Sequence, residues 1–404
     1  MILLLQVLVV LLIFKAALTI LLAFTHPRTQ RRRSQQHDTQ PLPGVSVMIA
    51  AYNEEVGIAD TLRSILSQDV PQLQVIVVDD GSTDRTAEIA RLFANQDERV
   101  VVIQQANGGK ARALNNAIDY LLHPVAVSVD ADSALAPGAL AALARHFHDP
   151  QVGAVAGDVR VAGPATLLSS VQYLEYTVGQ HLDKRAQDML GAIIVVPGAA
   201  GAFRSDALRV LRYSHDTLTE DMDLTVALAA AGYDVRFETA AISYTEPPIT
   251  VQNLWRQRMR WMYGTFQVIS KHRHQIHHRN GRLAWLILVV GLILGGMGPW
   301  LDLLAVAMLV HHSSQLVVPM LLNLGADFVV AGAALALGRQ VGRQGARALL
   351  LTPAQRLFMR PFVLLAVIMT CVMFLRRRNV SWNKLPRVGL QMTQPQQAHK
   401  TAGD

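Results

Sequence analysis

The chain has 404 residues, of which 51% are hydrophobic and 17% charged, with a formal net charge of +7. It is more apolar than an ordinary soluble protein and long enough for one catalytic domain plus several membrane helices. Its single cysteine, Cys371, excludes a disulfide framework or a cysteine-rich zinc site within one chain.

Ile2 to Phe24 is an apolar run of the length that crosses a bilayer, interrupted by Lys15. No basic region precedes it, and no clear small-x-small cleavage site follows. The basic cluster Arg28, Arg31, Arg32 and Arg33 comes after it. Residues 1–25 therefore read as an uncleaved anchor with its N-terminus outside, and residues 26–43 as a polar linker.

From Gly44 the pattern changes to short apolar strands alternating with helical spacing. Strands are expected at Val45–Ala51, Gln74–Val78, Val100–Ile103 and Val125–Val129. Helices are expected at Glu54–Leu66, Thr83–Phe93 and Ala111–Leu122. Such alternation predicts an α/β domain with helices on both faces of a parallel sheet. Further on, Val152–Val161 reads as a strand or hairpin and Thr166–Ala186 as a helix. Thr217-Leu-Thr-Glu220 resembles a capping box that opens a helix through Ala231, with Gly232 as its stop. The domain so defined covers residues 44–250.

Residues 251–282 mix aromatics, Met and Arg in the manner of an interfacial helix. Apolar stretches follow at Leu283–Val310, Leu316–Leu337 and Leu357–Leu375, giving a membrane bundle over 283–378 and a polar tail over 379–404. Gly298-Pro299, followed by Asp302, suggests a broken or re-entrant segment. No Asp or Glu occurs between Pro247 and Leu301, and Arg376–Arg378 follow the last apolar run. Basic flanks mark cytoplasmic membrane edges. Three crossings after a cytoplasmic domain would put Arg376–Arg378 outside, so the number of crossings stays open. No nucleic-acid-binding motif accompanies the basic patches, and nucleic acid is not an expected partner.

Ligands of open α/β sheets bind at the carboxyl ends of the strands. Here those ends carry Tyr52-Asn53-Glu54-Glu55, Asp79-Asp80-Gly81-Ser82, Asn107-Gly108-Gly109-Lys110 and Asp130-Ala131-Asp132. Any one of these could be a turn; four together aim polar groups at one crevice. Asp130 and Asp132, at i and i+2 of a strand end, would project to one face and repel unless a hard divalent cation lay between them. That cation would act as a Lewis acid on a leaving phosphate. The glycines before Lys110 and the helix start there would favour an anion. Glu220 and Asp221 suit either a helix dipole or a general base. In Gln257-Arg-Met-Arg260-Trp261, arginine can clamp a diphosphate and tryptophan can stack on a sugar; an interfacial anchor is the plainer reading.

In order, the motifs YNEE, DDGS, GGKARALN, DAD, GAAGAFR, TED and QRMRW resemble those of the family 2 membrane glycosyltransferases. That group includes synthases of poly-β-1,6-N-acetylglucosamine, hyaluronan, chitin oligosaccharide and cellulose. The resemblance spans roughly Val45 to Gly264 and is greatest to the poly-N-acetylglucosamine type, whose end Trp382–Gly389 (WNKLPRVG) also resembles. It implies a GT-A fold, a Rossmann-like mixed sheet inserted between transmembrane helices. It implies a UDP-sugar donor, with UDP-N-acetylglucosamine foremost, a glycan or glycolipid acceptor, membrane lipids around the helices, and Mg²⁺ or Mn²⁺ as cofactor. Residue by residue, it implies that Asp79 and Asp80, with Tyr52 and Glu54, contact the nucleotide. Lys110, Asp130 and Arg260 would join them in donor binding, and Asp132 would ligate the metal. Asp221, beside Glu220, would be the catalytic base. Gln257 and Trp261, with Gly201, Phe203 and Arg204 of the Gly198–Arg204 loop, would hold the acceptor. QxxRW with TED is similar to processive, inverting members of the inner membrane with a cytoplasmic catalytic domain. The family often has two N-terminal spans where one is read here. Transfer of one sugar to a lipid or polyprenyl-phosphate acceptor is the alternative; a non-enzymatic glycan-export subunit is the alternative of another class. An accessory membrane subunit stays open.

Overall fold

The structure, a computed structural model, describes residues 2–35, 40–163, 166–274, 278–310, 317–378 and Gly389. The Trp382 segment, apart from Gly389, lies outside the described residues, as does the rest of the polar tail.

Helix α1 (Ile2–Gln35) continues through Pro27, so half of the expected linker is helical. Tertiary contacts outweigh the proline. His26 meets Asp188 at 2.8 Å, Arg33 meets the same carboxylate at 2.9 Å, and Gln30 bonds Glu238 and Thr239. Next come β1 (Val45–Ala51), α2 (Ile58–Leu66), β2 (Leu73–Asp79), α3 (Thr86–Gln96), β3 (Val100–Gln104), α4 (Lys110–Ile118) and β4 (Val125–Ser128). The second half holds β5 (Ser133–Leu135), α5 (Ala139–Ala144), β6 (Val152–Val161), α6 (Leu167–Val178), α7 (Arg185–Met189), β7 (Gly201–Arg204), α8 (Ser205–Leu211), α9 (Glu220–Ala230) and β8 (Asp234–Thr245).

The strands form one mixed sheet in the order β3-β2-β1-β4-β7-β6-β8-β5. Strands β1 to β4 are parallel, and β7 inserts antiparallel between β4 and β6. Alternation along β1 divides the core. Val45, Val47 and Ile49 pack with α2 and α5, whereas Met48 packs with α4, α8 and α9. Burial on both faces explains why these strands read as nearly continuous apolar runs.

Three details depart from expectation. Residues 54–57 turn before α2 begins, which leaves the Glu54 and Glu55 amides for the neighbouring loop. The helix expected over Thr166–Ala186 is interrupted by a π-helical turn, Gly179–Lys184. The Thr217–Glu220 capping box does not form: Thr219 is the N-cap and makes no side-chain cap bond. Three acids in the first turn, Glu220, Asp221 and Asp223, favour the helix dipole there instead.

The chain ends in α10 (Val251–His272), α11 (Arg279–Val310), α12 (Val317–Leu337), α13 (Arg343–Leu350), α14 (Thr352–Ala354) and α15 (Arg360–Leu375). Gly298-Pro299 does not break α11, which runs through it. Among the described residues three helical segments are long and apolar enough to cross a membrane: Gln6–Arg33, Arg279–Trp300 and Thr352–Leu375. Large apolar side chains stay exposed along the first of them, including Leu11, Phe14 and Leu21, as lipid contact would require.

Candidate active site

The carboxyl ends of β1 and β2 are tied together by their loops. Asn53 adopts a left-handed conformation (φ 54°), which asparagine tolerates. Its side-chain oxygen accepts from the Thr83 amide at 2.8 Å, and its own amide donates to Ser82 Oγ at 2.9 Å. The Glu54 amide donates to Thr86 Oγ1 at 2.7 Å. This double stitch holds the Tyr52-Asn53-Glu54 turn against the loop that follows Asp79 and Asp80.

Asp79 and Asp80 have different environments. Asp79 accepts from the Ser82 amide and from Gln104 Nε2, at 3.2 and 3.0 Å. Asp80 accepts from the Gly108 and Gly109 amides, both at 2.8 Å, and from Gln105 Nε2 at 2.7 Å. The anion that the glycine loop was expected to attract is thus Asp80 itself. Gly109, at φ 86°, supplies a conformation that a side chain would strain.

Lys110 opens α4 and points back across the crevice. Its ammonium lies 2.5 Å from Asp130 and 3.5 Å from Glu220. Burial works against its charge, but Asp130 and Glu220 outweigh burial and raise its pKa above the usual lysine value. Gly198 closes over this pair. A Cβ there would sit 2.5 Å from Lys110 Nζ and 3.0 Å from Asp130 Oδ1, so a side chain would have to push this pair aside.

Asp221 is half-buried beside this group. Burial first, then the Glu220 charge, push its carboxyl up from 3.8 to about 6, with Lys110 opposing. A carboxylate poised near neutrality can take a proton. Its backbone carbonyl accepts from Thr225 Oγ1 at 2.6 Å, and that hydroxyl accepts from the Val196 amide. The start of α9 is therefore anchored to the loop that carries Gly198.

Asp130 and Asp132 are not a strand pair. β4 ends at Ser128, and the Ser133 amide donates to the Asp130 carbonyl in a turn. Asp132 is buried and lies against Gly57, while Asp130 is taken by Lys110. Among the described residues no three His, Cys, Asp or Glu side chains gather into a metal cage. The donor set still fits Mg²⁺ or Mn²⁺, which commonly takes one or two carboxylates and completes its shell with substrate phosphates and water.

The face of α10 carrying Gln257, Arg260, Trp261 and Gly264 repeats at helical spacing. Gly264 abuts Thr219: a Cβ there would lie 2.5 Å from Thr219 Oγ1. Lys271 and His272 clamp Asp223 at 2.7 and 2.6 Å. These contacts fix QRMRW next to TED. Gln257 Oε1 is buried without a hydrogen-bond partner, and Arg260 makes no ion pair among the described residues. In the sequence Arg258 reads only as part of the basic membrane flank, with no role of its own. It stacks on Trp261 (4.5 Å to the ring centre) and pairs with Glu175 at 2.8 Å, so it orients the indole. Its i, i+3 spacing to Trp261 was the available signal.

Two expected acceptor residues lie elsewhere. β7 runs antiparallel to β4, with Gly201 opposite Ser128 at the crevice end and Arg204 opposite Val125 at the far end. Phe203 is buried in the core against Tyr213. Arg204 donates to the Val152, Phe147 and Asp149 carbonyls. Only the loop before β7, with Gly201 at its end, faces the crevice; Phe203 and Arg204 are structural.

Residues 43–264, more than half of the chain, match the model "Glycosyltransferase like family 2". The chain is 33% identical over 234 residues to the poly-β-1,6-N-acetyl-D-glucosamine synthase of Staphylococcus epidermidis, a match covering 57% of each chain. It is 32% identical over 232 residues to the Staphylococcus aureus (strain COL) protein so named, covering 57% of this chain and 56% of that one. The chain thus spans a little over half the length of these relatives. A mannosyltransferase from Pyrobaculum calidifontis, solved with GDP-Man and Mn²⁺, shares the fold with a TM-score of 0.58 at 23% identity, over 90% of this chain and 99% of that one. The sheet is accordingly that of a GT-A-like domain flanked by N-terminal and C-terminal apolar helices. The chain belongs to glycosyltransferase family 2.

Proposed function

We propose that the chain is an inverting, membrane-embedded transferase that moves a sugar from a UDP-sugar to a growing β-linked glycan. The observation that carries this reading is Asp221, held near neutrality at the meeting point of Glu220, Lys110 and the Gly198 loop. Similarity to poly-β-1,6-N-acetyl-D-glucosamine synthases supports UDP-N-acetylglucosamine as the donor.

In this reading Asp79, with Tyr52 and Glu54, meets the nucleotide. Asp80 acts indirectly, through the glycine loop it holds. Arg260 and Lys110 face the diphosphate, and Asp132 would hold a divalent cation that offsets the diphosphate charge when bound. Trp261, steadied by Arg258, and Gln257, with its unsatisfied oxygen, hold the acceptor sugar. Asp221 takes the proton of the attacking hydroxyl as that oxygen bonds to the anomeric carbon. The bond to the diphosphate oxygen breaks on the opposite face, and UDP leaves with the electron pair. Attack from that face inverts the anomeric configuration.

The test is purified full-length protein given a panel of UDP-sugars, with UDP release and product size measured. A ladder of β-linked products from UDP-N-acetylglucosamine is expected. A single glycolipid would make it a one-sugar transferase, and absence of UDP release from every donor would refute an enzymatic role. The reading also puts residues 44–282 in the cytoplasm. Val210, 82% exposed on α8, is a suitable reporter. Val210→Cys in a Cys371→Ser background should resist an impermeant thiol reagent in intact cells and react after lysis. Labelling in intact cells would overturn the orientation.

A further inference from the structure

A second cavity, of about 870 Å³, lies away from the crevice; none of the crevice residues lines it. Its walls are the end of α1, the end of α5 with the turn after it, β6 at Arg160, the π-helical turn leading into α7, the outer part of β8 and the end of α12. A bulge in β8 opens it. Gly157 pairs with Glu238 and Asp158 with Ile242, so Thr239 to Ala241 leave the ladder. The volume suits a headgroup or a small phosphate ester rather than a water or a single ion.

The lining is strongly cationic. Seven arginines face one carboxylate, Glu238, which is engaged by His146 at 2.8 Å. Arg33, Arg160 and Arg236 are paired with Asp188, Asp158 and Asp149. Arg31, Arg145 and Arg339 make no ion pair among the described residues. Arg185 is the built element of the site. It is 5% exposed, is fixed by donating to the Leu337 carbonyl at 3.1 Å, and keeps a buried Nε without a hydrogen-bond partner. The Arg236 Nε is buried and unpartnered as well. Burying an unsatisfied guanidinium N–H is unfavourable unless an acceptor reaches it. Planar N–H pairs from several arginines match the oxygens of a phosphate.

We infer that this cavity binds a phosphate-bearing ligand through Arg185, with Arg31, Arg145 and Arg339 closing around it. The inference rests on no assumption about the transfer reaction. Both α1 and α12 enter the cavity at the ends of apolar helices, Arg31 and Arg339 included. A phospholipid headgroup could therefore arrive from the side, and a soluble phosphate ester from the aqueous mouth. The chemistry of recognition is the same.

The experiment uses the full-length protein without divalent cation. Binding of radiolabelled pyrophosphate is measured by equilibrium dialysis in detergent. Retained lipid is measured by native mass spectrometry after reconstitution in discs of phosphatidylglycerol and phosphatidylcholine. The variant is Arg145→Gln with Arg339→Gln; both side chains are exposed, so folding should be unaffected. The charge-matched control is Arg63→Gln with Arg209→Gln, two arginines of surface pairs elsewhere. Binding of one probe should be present in wild type and control and fall at least about tenfold in the variant. Arg31→Gln should give an intermediate loss and guards against a folding defect in the double variant. Loss confined to phosphatidylglycerol identifies a lipid site, and loss confined to pyrophosphate a soluble-phosphate site. If neither probe distinguishes variant from control, the cavity is not a phosphate site and the inference fails.

Discussion

Two of the charged clusters among the described residues differ in their balance. At the sheet ends, Asp130, Glu220 and Asp221 share the crevice with Lys110. Among the C-terminal helices, Arg356 bonds both Asp302 and Asp327, at 2.6 Å to the latter, and Arg360 bonds Asp327 at 2.5 Å. Two acids and two bases cancel there, and the group pins α11, α12 and α15 together. In the crevice the charges do not cancel. An excess of carboxylates persists only if a proton or a cationic ligand completes it, which is what a reaction site requires. On the proposed reading, the unbalanced cluster serves the reaction and the balanced one holds the helices together.

The largest effect is expected where the imbalance invites a cation. Asp132→Ala, or EDTA on the wild type, should reduce sugar transfer at least about a thousandfold, because metal neutralisation of a leaving diphosphate is worth several kcal/mol. Full turnover in EDTA without added divalent ion would remove the metal from the reading. Next comes the base. Asp221→Asn should lower transfer by about 100-fold or more while UDP-sugar binding, measured by calorimetry, is kept. In wild type the rate should be steady above pH 7 and fall about tenfold per pH unit well below pH 6, as the Asp221 carboxylate is protonated. If Glu220→Gln and Asp221→Asn lose activity equally and modestly, both acids serve the helix dipole and the base lies elsewhere.

The balanced cluster should respond in the opposite sense. Arg356→Met strands Asp302, leaves Asp327 with Arg360 alone, and should cost about 3 kcal/mol of stability. Transfer per folded molecule should stay within about twofold of wild type, since no crevice residue is touched. A large fall in turnover by correctly folded Arg356→Met protein would break the contrast and give the helix cluster a functional part.

How much of this was legible in sequence depends on the range of the interactions involved. The alternation of Val45, Val47 and Ile49 with Met48 is local, and β1 was placed to the residue. The four polar strand ends were legible because a parallel sheet gathers them by topology alone. The roles of Asp80 and Arg204 were not. Asp80 is set apart from Asp79 by the Gly108 and Gly109 amides, far along the chain, which turn toward it. Phe203 and Arg204 were misread because nothing local says that β7 enters the sheet antiparallel, which points its end away from the crevice. The extension of α1 past Pro27 rests likewise on Asp188 and Glu238, remote in sequence. The arginine cavity drew no notice, because its walls come from six separate stretches.

The smallest effect separates strain from function within the crevice itself. The Asp221 carboxyl is raised from 3.8 to about 6 in the folded chain, so the ionised form is disfavoured by folding. Above pH 6 the wild type therefore carries an unfavourable charge. As pH falls from 6 toward 4 the folded state binds the proton first, and that penalty is relieved. Asp221→Asn never carries the charge, and its amide oxygen can still accept from the Met222 amide as Oδ1 does at 2.8 Å. The variant should thus be more stable than wild type by about 1–3 kcal/mol at pH 8, with the gain vanishing near pH 4. Thermal melting of both proteins across that range measures it. A variant less stable at pH 8 would mean that Lys110 holds Asp221 as a structural partner, so that the residue belongs with the balanced cluster of the helices. A variant that is inactive and more stable would show the enzyme keeping an unfavourable carboxylate because the reaction needs one.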